Sequence, residues 1–431
     1  MKKESIFYWR RLDNSAKIFP ISAGKKYSTV FRFSAVMKEE IDPESLKQAV
    51  ILALKKYKSF KVRMKLGVFW NYFEHNPKDP IIEEEKDYPC KYIDYKRNNN
   101  YLFKVTYFDQ KINIDIFHSL TDGNNGNLFF REIIYSYIEL THPREFEDEL
   151  RTTRKVEYTT EDSYMQNYDK KAKSNNSSKK AYVLRGNKIG LGAVSAIHEI
   201  IDTNQLKEIC KREECTVTQY LTAVLIYSIY EENYKKNNGE KPIKVCIPVN
   251  LKKYFPNSKT ISNFFTYITL EAEMKKDNLN TFERILQFVK DDFKKRLTEE
   301  QIIKTMSGNV KLGNNPFIRV VPLFLKKAIV RLSYLEIRRY TTITFSNVGR
   351  IGIIGKYKPY IEKFLMLIAP EPVEKIKCSA CTFEDKMVFT FTSILNDNSI
   401  EKRFYEFLKE KGIKVEIESN GVLDDVISTK N

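Results

Sequence analysis

One histidine in this chain has a spacing that could do chemistry: His118, in Phe117-His118-Ser119-Leu120-Thr121-Asp122-Gly123. Of the four histidines, it alone has an aspartate four residues on that is followed immediately by glycine. An imidazole with an ordinary pKa of about 6.5 can take a proton near neutrality, so the chemistry on offer is general-base catalysis. The spacing also fits a hydrogen-bonded core histidine with Asp122 starting a turn. Ser346-Asn347-Val348-Gly349 holds two polar side chains, Ser346 and Asn347, of the kind that stabilise an oxyanion, with Gly349 serving the backbone; the same residues suit a plain turn after a strand. Cys378 and Cys381 form a lone C-x-x-C in strand-like sequence. A zinc site normally needs four ligands and no second pair lies nearby, so no metal is expected.

The elements that must position these residues alternate between strand and helix. Residues 101–108 and 111–117 predict a hairpin through Asp109-Gln110, with Ile112, Ile114 and Ile116 on one face, which leaves His118 at a strand end. An Asn-rich Asp-Gly turn follows. Leu128, Phe129, Ile133, Ile134 and Tyr137 then recur at helical spacing. Upstream, residues 28–36 read as a strand, and Asp42-Pro43-Glu44 supplies an N-cap, a first-turn proline and an acid for a helix to about Tyr57. Residues 61–66, which hold Arg63, and 68–73 read as the next strands.

Periodicity is lost from about residue 157 to 188, where lysines cluster, and the strand-helix pattern then restarts. The expected division is an N-terminal domain at 1–160, a basic linker at 161–190 and a C-terminal domain at 191–431. Residues 317–338 look amphipathic. The class is α/β (α+β).

Length and composition agree. At 431 residues, 42% hydrophobic and 13% aromatic, the chain can fill two cores. Six sparse cysteines argue against a disulfide-built secreted scaffold, and the start lacks the apolar run of a signal peptide, so a cytoplasmic location is expected. The most apolar stretch, 317–334, is interrupted by Arg319, Lys326, Lys327 and Arg331, which excludes a transmembrane reading. A net charge of +17 favours an anionic partner, whether nucleic acid, a membrane surface, an acidic carrier protein or a phosphate-bearing cofactor, and equally fits a lysine-rich bias dispersed over a solvated surface; no nucleic-acid motif sharpens the signal.

The motif resembles the H-H-x-x-x-D-G signature of the chloramphenicol acetyltransferase-like superfamily, with Phe117 in place of the first histidine. Further similarities are Trp9-Arg10-Arg11-Leu12-Asp13-Asn14, Arg63, Ile247-Pro248-Val249-Asn250-Leu251, Ser262-Asn263-Phe264-Phe265 and Ser346-Asn347-Val348-Gly349. The alcohol acetyltransferase and condensation-domain branch is the most similar. The resemblance implies two such domains in a V around an active-site tunnel. It implies an acyl group, acetyl by expectation, moving from acyl-CoA to a small alcohol or amine with His118 as base. Asp122 then organises the motif by pairing with an arginine, for which Arg63 is the expected partner and Lys252 or Arg10 the substitutes. Gly123 supports the turn, and Asn263, Ser346, Asn347 and Gly349 line the oxyanion site or tunnel. An acyl carrier protein is an alternative donor, a non-catalytic or carrier-dependent condensation-like binding domain is the alternative function, and the oligomeric state is left open.

Overall fold

The computed structural model describes residues 9–25, 27–147, 156–172, 179–190, 192–313, 315, 318 and 320–423. Its strands are β1 (Trp9–Arg11), β2 (Val30–Met37), β3 (Val62–Lys65), β4 (Tyr72–His75), β5 (Ile82–Glu84), β6 (Phe103–Phe108), β7 (Lys111–Phe117), β8 (Ser195–Asp202), β9 (Ile243–Asn250), β10 (Phe265–Ala272), β11 (Ile343–Arg350), β12 (Ile361–Ile368), β13 (Ile376–Phe383), β14 (Lys386–Ser393) and β15 (Val415–Ser419). They form a five-stranded sheet in the order β12-β2-β7-β6-β5, a seven-stranded sheet in the order β10-β9-β11-β13-β14-β8-β15, and a small β1-β4-β3 sheet.

The β6–β7 hairpin turns as the sequence predicts. Asp109 takes φ +52°, a left-handed conformation that aspartate tolerates better than most residues. A short helix α1 (Phe19–Ser22) precedes β2. Helix α2 (Pro43–Lys56) starts where expected, the Asp42 carboxylate accepting from the Ser45 N–H at 2.8 Å, and packs on α3 (Gly123–Thr141). The expected strand at 68–73 begins later, at Tyr72. Gly67 instead makes a close turn in which a Cβ would lie 2.4 Å from the Trp70 carbonyl oxygen, and this leaves residues 66–71 as a loop.

Within 161–190, the described residues are packed. Ser163–Asn167 forms the short helix α4, Tyr164, Tyr182 and Leu184 are buried, and the Tyr164 hydroxyl donates to the Phe265 carbonyl at 2.8 Å; residues 173–178 of the basic run lie outside the described residues. In the second half, α5 (Thr203–Arg212) leads to α6 (Val217–Ile229), which opens on a capping box between Thr216 and Gln219 and is buried along most of its length. Helices α7 (Phe282–Arg296), α8 (Glu299–Gly313), α9 (Leu323–Ile337) and α10 (Ser399–Glu410) complete the set used below. Among the described residues, no helix is long and apolar enough to cross a membrane.

The two halves are not separate in the chain. Strand β12, from the C-terminal portion, runs antiparallel to β2 with Phe364 opposite Ala35, and so completes the N-terminal sheet as its edge. It also packs against β13 and β14. The two cores therefore meet at β13, where Cys378 belongs to one and Cys381 to the other. Three residues apart on a strand, the two thiols sit on opposite faces and cannot act as a pair.

Candidate active site

His118 follows the last residue of β7. Its backbone N–H donates to the Thr29 carbonyl at 3.0 Å, and Thr29 sits at φ +49°. A β-branched residue in that region costs about 1 to 3 kcal/mol and is held only where its surroundings insist on it. Alternation along the strand explains Phe117: its ring is buried in the N-terminal core against Tyr95, at 5.8 Å between centroids, while His118 is turned the other way. A second histidine would be buried among apolar groups at that position.

The imidazole lies in an aromatic enclosure. Phe19 of α1 stacks on it at 4.6 Å, Phe31 of β2 meets it edge-on at 5.1 Å, and Phe265 at the start of β10 is 5.3 Å away. Burial holds its pKa below the ordinary 6.5, opposed by Asp122 and by the bond to Asn263. The ring is therefore neutral at pH 7 and able to accept a proton.

Which nitrogen accepts follows from the neighbours. Asp13 is buried, and its Oδ2 accepts from the Asn263 N–H at 3.1 Å and from Asn263 Nδ2 at 3.0 Å; its Oδ1 accepts from the Ala16 N–H at 2.8 Å. A carboxylate only accepts, so the nitrogen of the Asn263 amide must face it. Asn263 Oδ1 is then turned to His118 Nδ1 at 3.1 Å, which requires the ring proton to sit on Nδ1. Nε2 keeps its lone pair. Burial pushes the Asp13 carboxyl up to about 6, so it is ionised, and this arrangement in force, above that pH.

Asp122 caps α3. One oxygen accepts from the Asn125 N–H at 3.0 Å and the other from the Phe264 N–H at 2.8 Å, so the carboxylate ties the motif to the opposite half of the molecule. Neighbours repeat the link: Thr121 Oγ1 donates to the Ile261 carbonyl at 2.7 Å and Asn125 Nδ2 to the Ser262 carbonyl at 2.8 Å. Lys252 Nζ reaches Asn125 Oδ1 at 2.6 Å.

Arg63 is not the partner of Asp122. The β3–β4 register sets it opposite Glu74, to which its Nε donates at 2.6 Å, on a partly exposed face. Arg10 is likewise engaged elsewhere, with Ser262 Oγ at 2.9 Å and the Ser59 carbonyl. Two backbone N–H groups do for Asp122 what an arginine was expected to do.

The other expected residues divide. Gly123 lies under β11 and β12, where a Cβ would meet Val348 at 3.6 Å and Met366 at 3.5 Å. The end of β11 thus reaches the start of α3. Within β11, Asn347 Nδ2 donates to Thr218 Oγ1 at 3.1 Å and its Oδ1 accepts from the Gly349 N–H at 2.9 Å, and Gly349 has φ +73°. That amide shapes the irregular strand end. Ser346 lies one residue before it, half-buried. Beside Asp13, a cavity of about 490 Å³ is lined by Trp9, Arg10, Arg11, Lys17 and Asp162 among others. Among the described residues no group of acidic, histidine and cysteine side chains could hold a metal ion.

A sequence model of the family described as "Alcohol acetyltransferase" matches residues 149–349. The fold matches the trichothecene 15-O-acetyltransferase TRI3 of Fusarium sporotrichioides at 9% identity and TM-score 0.60, covering 94% of each chain. It matches TRI101 of F. graminearum, complexed with coenzyme A and deoxynivalenol, at 11% identity and TM-score 0.61, covering 95% of this chain and 99% of that one. It also matches the epimerization domain from the third module of tyrocidine synthetase B at 10% identity and TM-score 0.57, covering 99% and 100%. No curated protein matches in sequence.

Proposed function

We propose that this chain is a CoA-dependent acyltransferase of the chloramphenicol acetyltransferase-like superfamily that acylates an alcohol, with His118 Nε2 as the general base. The observation that carries the reading is the hydrogen-bond relay from Asp13 through Asn263 to His118 Nδ1, which leaves Nε2 as the basic atom of a neutral ring.

In this mechanism Nε2 removes the proton of the acceptor hydroxyl as its oxygen attacks the thioester carbonyl. The C–S bond breaks as the tetrahedral intermediate collapses, and the same proton passes to the departing thiolate. Asn263 is a positioning residue rather than an oxyanion donor. Phe19, Phe31 and Phe265 exclude water that would otherwise hydrolyse the thioester. Asp122 holds the loop and does not meet the substrate. The CoA complex among the structural neighbours supports CoA as donor, and Arg11 and Lys17 on the cavity beside Asp13 suit its phosphates. An amine acceptor uses the same steps. The net charge of +17 also suits an acidic carrier protein as donor.

The test is to incubate purified protein with acetyl-CoA and longer acyl-CoAs against a panel of alcohols and amines, following free thiol. His118→Ala should lower kcat by at least about a thousandfold while leaving the melting temperature near that of the parent. No turnover with any pair, or full turnover in His118→Ala, refutes the proposal.

A further inference from the structure

The large apolar side chains that this protein exposes are concentrated in one place. From the loop between β3 and β4, Leu66 and Val68 are each 72% exposed and Phe69 is 46% exposed. From α9 and the residues before it come Val320, Phe324, Leu325 and Ile329, at 46 to 70%. These are seven of the sixteen exposed large apolar residues among those described, and they adjoin: the Leu323 N–H donates to the Val68 carbonyl at 2.9 Å, and Lys326 Nζ donates to the Phe69 carbonyl at 2.9 Å. A patch of this kind marks a contact surface.

Its surroundings indicate what it contacts. Lys327 lines the same groove as Leu66, Val68 and Phe324, and the chain as a whole carries a net charge of +17. Trp70 lies at the rim of the patch. Lys326 sits over the Trp70 ring at 3.7 Å and Lys17 over the same ring at 5.9 Å, while Trp9, 59% exposed, shares the neighbouring cavity with Lys17. Protruding aliphatic and aromatic groups with tryptophan and lysine at the border are the composition of surfaces that lie in the headgroup region of anionic membranes. An acidic protein partner would satisfy the cations but has less use for seven adjoining apolar side chains at this degree of exposure.

We infer that the face formed by the Leu66–Phe69 loop and the start of α9 docks on an anionic lipid bilayer, inserting its apolar side chains while the surrounding cations meet lipid headgroups. The face lies close to the candidate site, because α9 packs on α1, whose Phe19 stacks on His118. The inference does not require acyl transfer and is tested without it.

The experiment is co-sedimentation of the full chain with phosphatidylcholine vesicles and with vesicles containing phosphatidylglycerol. Binding is expected to the second and to be weak for the first. The double variant Phe324→Ser/Ile329→Ser should weaken it about tenfold or more at unchanged melting temperature, and Lys327→Glu should weaken it several-fold. The control Phe108→Ser/Ile417→Ser, at two exposed apolar positions on other strands, should bind as the parent does. Raising the salt should reduce binding without abolishing it, because the apolar part is unscreened. Equal binding by patch and control variants overturns the inference, since a diffuse basic surface would explain it. So does a self-associated chain that the double variant dissociates and that ignores vesicles, which would make the face a protein interface.

Discussion

Asp115 and Asp122 stand seven residues apart, are equally buried at 4% exposure, and are held in opposite ways. Asp115, in β7, receives Arg32 across the strand pair in bidentate geometry, Nε at 2.9 Å and Nη2 at 2.5 Å, and Glu85 binds the same guanidinium at 2.5 Å. Asp122 has its hydrogen bonds from two backbone N–H groups, one at the start of α3 and one in the opposite half. Backbone N–H groups thus supply the hydrogen bonds of this carboxylate, while the Lys252 ammonium, bonded to Asn125 Oδ1 at 2.6 Å, supplies the nearby positive charge. The first aspartate makes the N-terminal sheet cohere. The second joins the loop that carries His118 to the rest of the molecule.

The contrast can be broken or sharpened by substitution. The largest effect is expected from Asp115→Ala, which leaves the Arg32 charge buried with only Glu85 beside it. It should cost about 3 to 5 kcal/mol in denaturant unfolding. Asp122→Ala removes a helix cap and leaves the Phe264 N–H without its acceptor, a loss of about 2 to 3 kcal/mol. It should also lower kcat more than KM changes, because His118 is repositioned. If Arg63→Ala reproduces that loss, Asp122 and Arg63 are coupled after all and the contrast fails.

Glu401 is a third case, buried in α10 and pushed up to about 8 by that burial. The folded state then keeps a proton that the unfolded chain releases above its ordinary 4.5, so this group's contribution falls as pH rises from about 4.5 to 8. Glu401→Gln should stabilise the protein by about 4 kcal/mol at pH 8 and have little effect at pH 4.5, read from melting temperatures at the two values. In the site itself, Asn263→Ala removes the hydrogen bond that raises the His118 pKa and should move the acid limb of the kcat/KM profile downward. An unmoved limb would show that Asn263 does not act through the imidazole. Arg63→Ala, at a partly exposed pair, should cost under about 1 kcal/mol and leave turnover intact.

Much of this was legible in sequence where the signal is local. The β6–β7 hairpin, the strand-end placement of His118 and the cap at Asp42 depend on neighbouring residues, and each lies where its residues predict. Ser262-Asn263-Phe264-Phe265 stood out as a motif, but its function depends on what folds against it. No spacing reveals that Asp13, 250 residues before Asn263, orients that amide. Arg63 was misread because β3 and β4 pair locally and Glu74 is opposite it in register. The role of Phe117 followed from strand alternation, a local rule that the motif comparison had obscured.

Strand β12 has a consequence in time. Its first residue, Ile361, pairs with Met37, so the N-terminal sheet lacks one edge until the ribosome has added more than three hundred residues beyond β2. At ordinary elongation rates that wait is on the order of tens of seconds. Throughout it the β2 edge presents unpaired backbone to any other nascent chain. A chain cut after the first half should therefore need a chaperone or aggregate, and a separately supplied C-terminal half should rescue it by lending the missing strand.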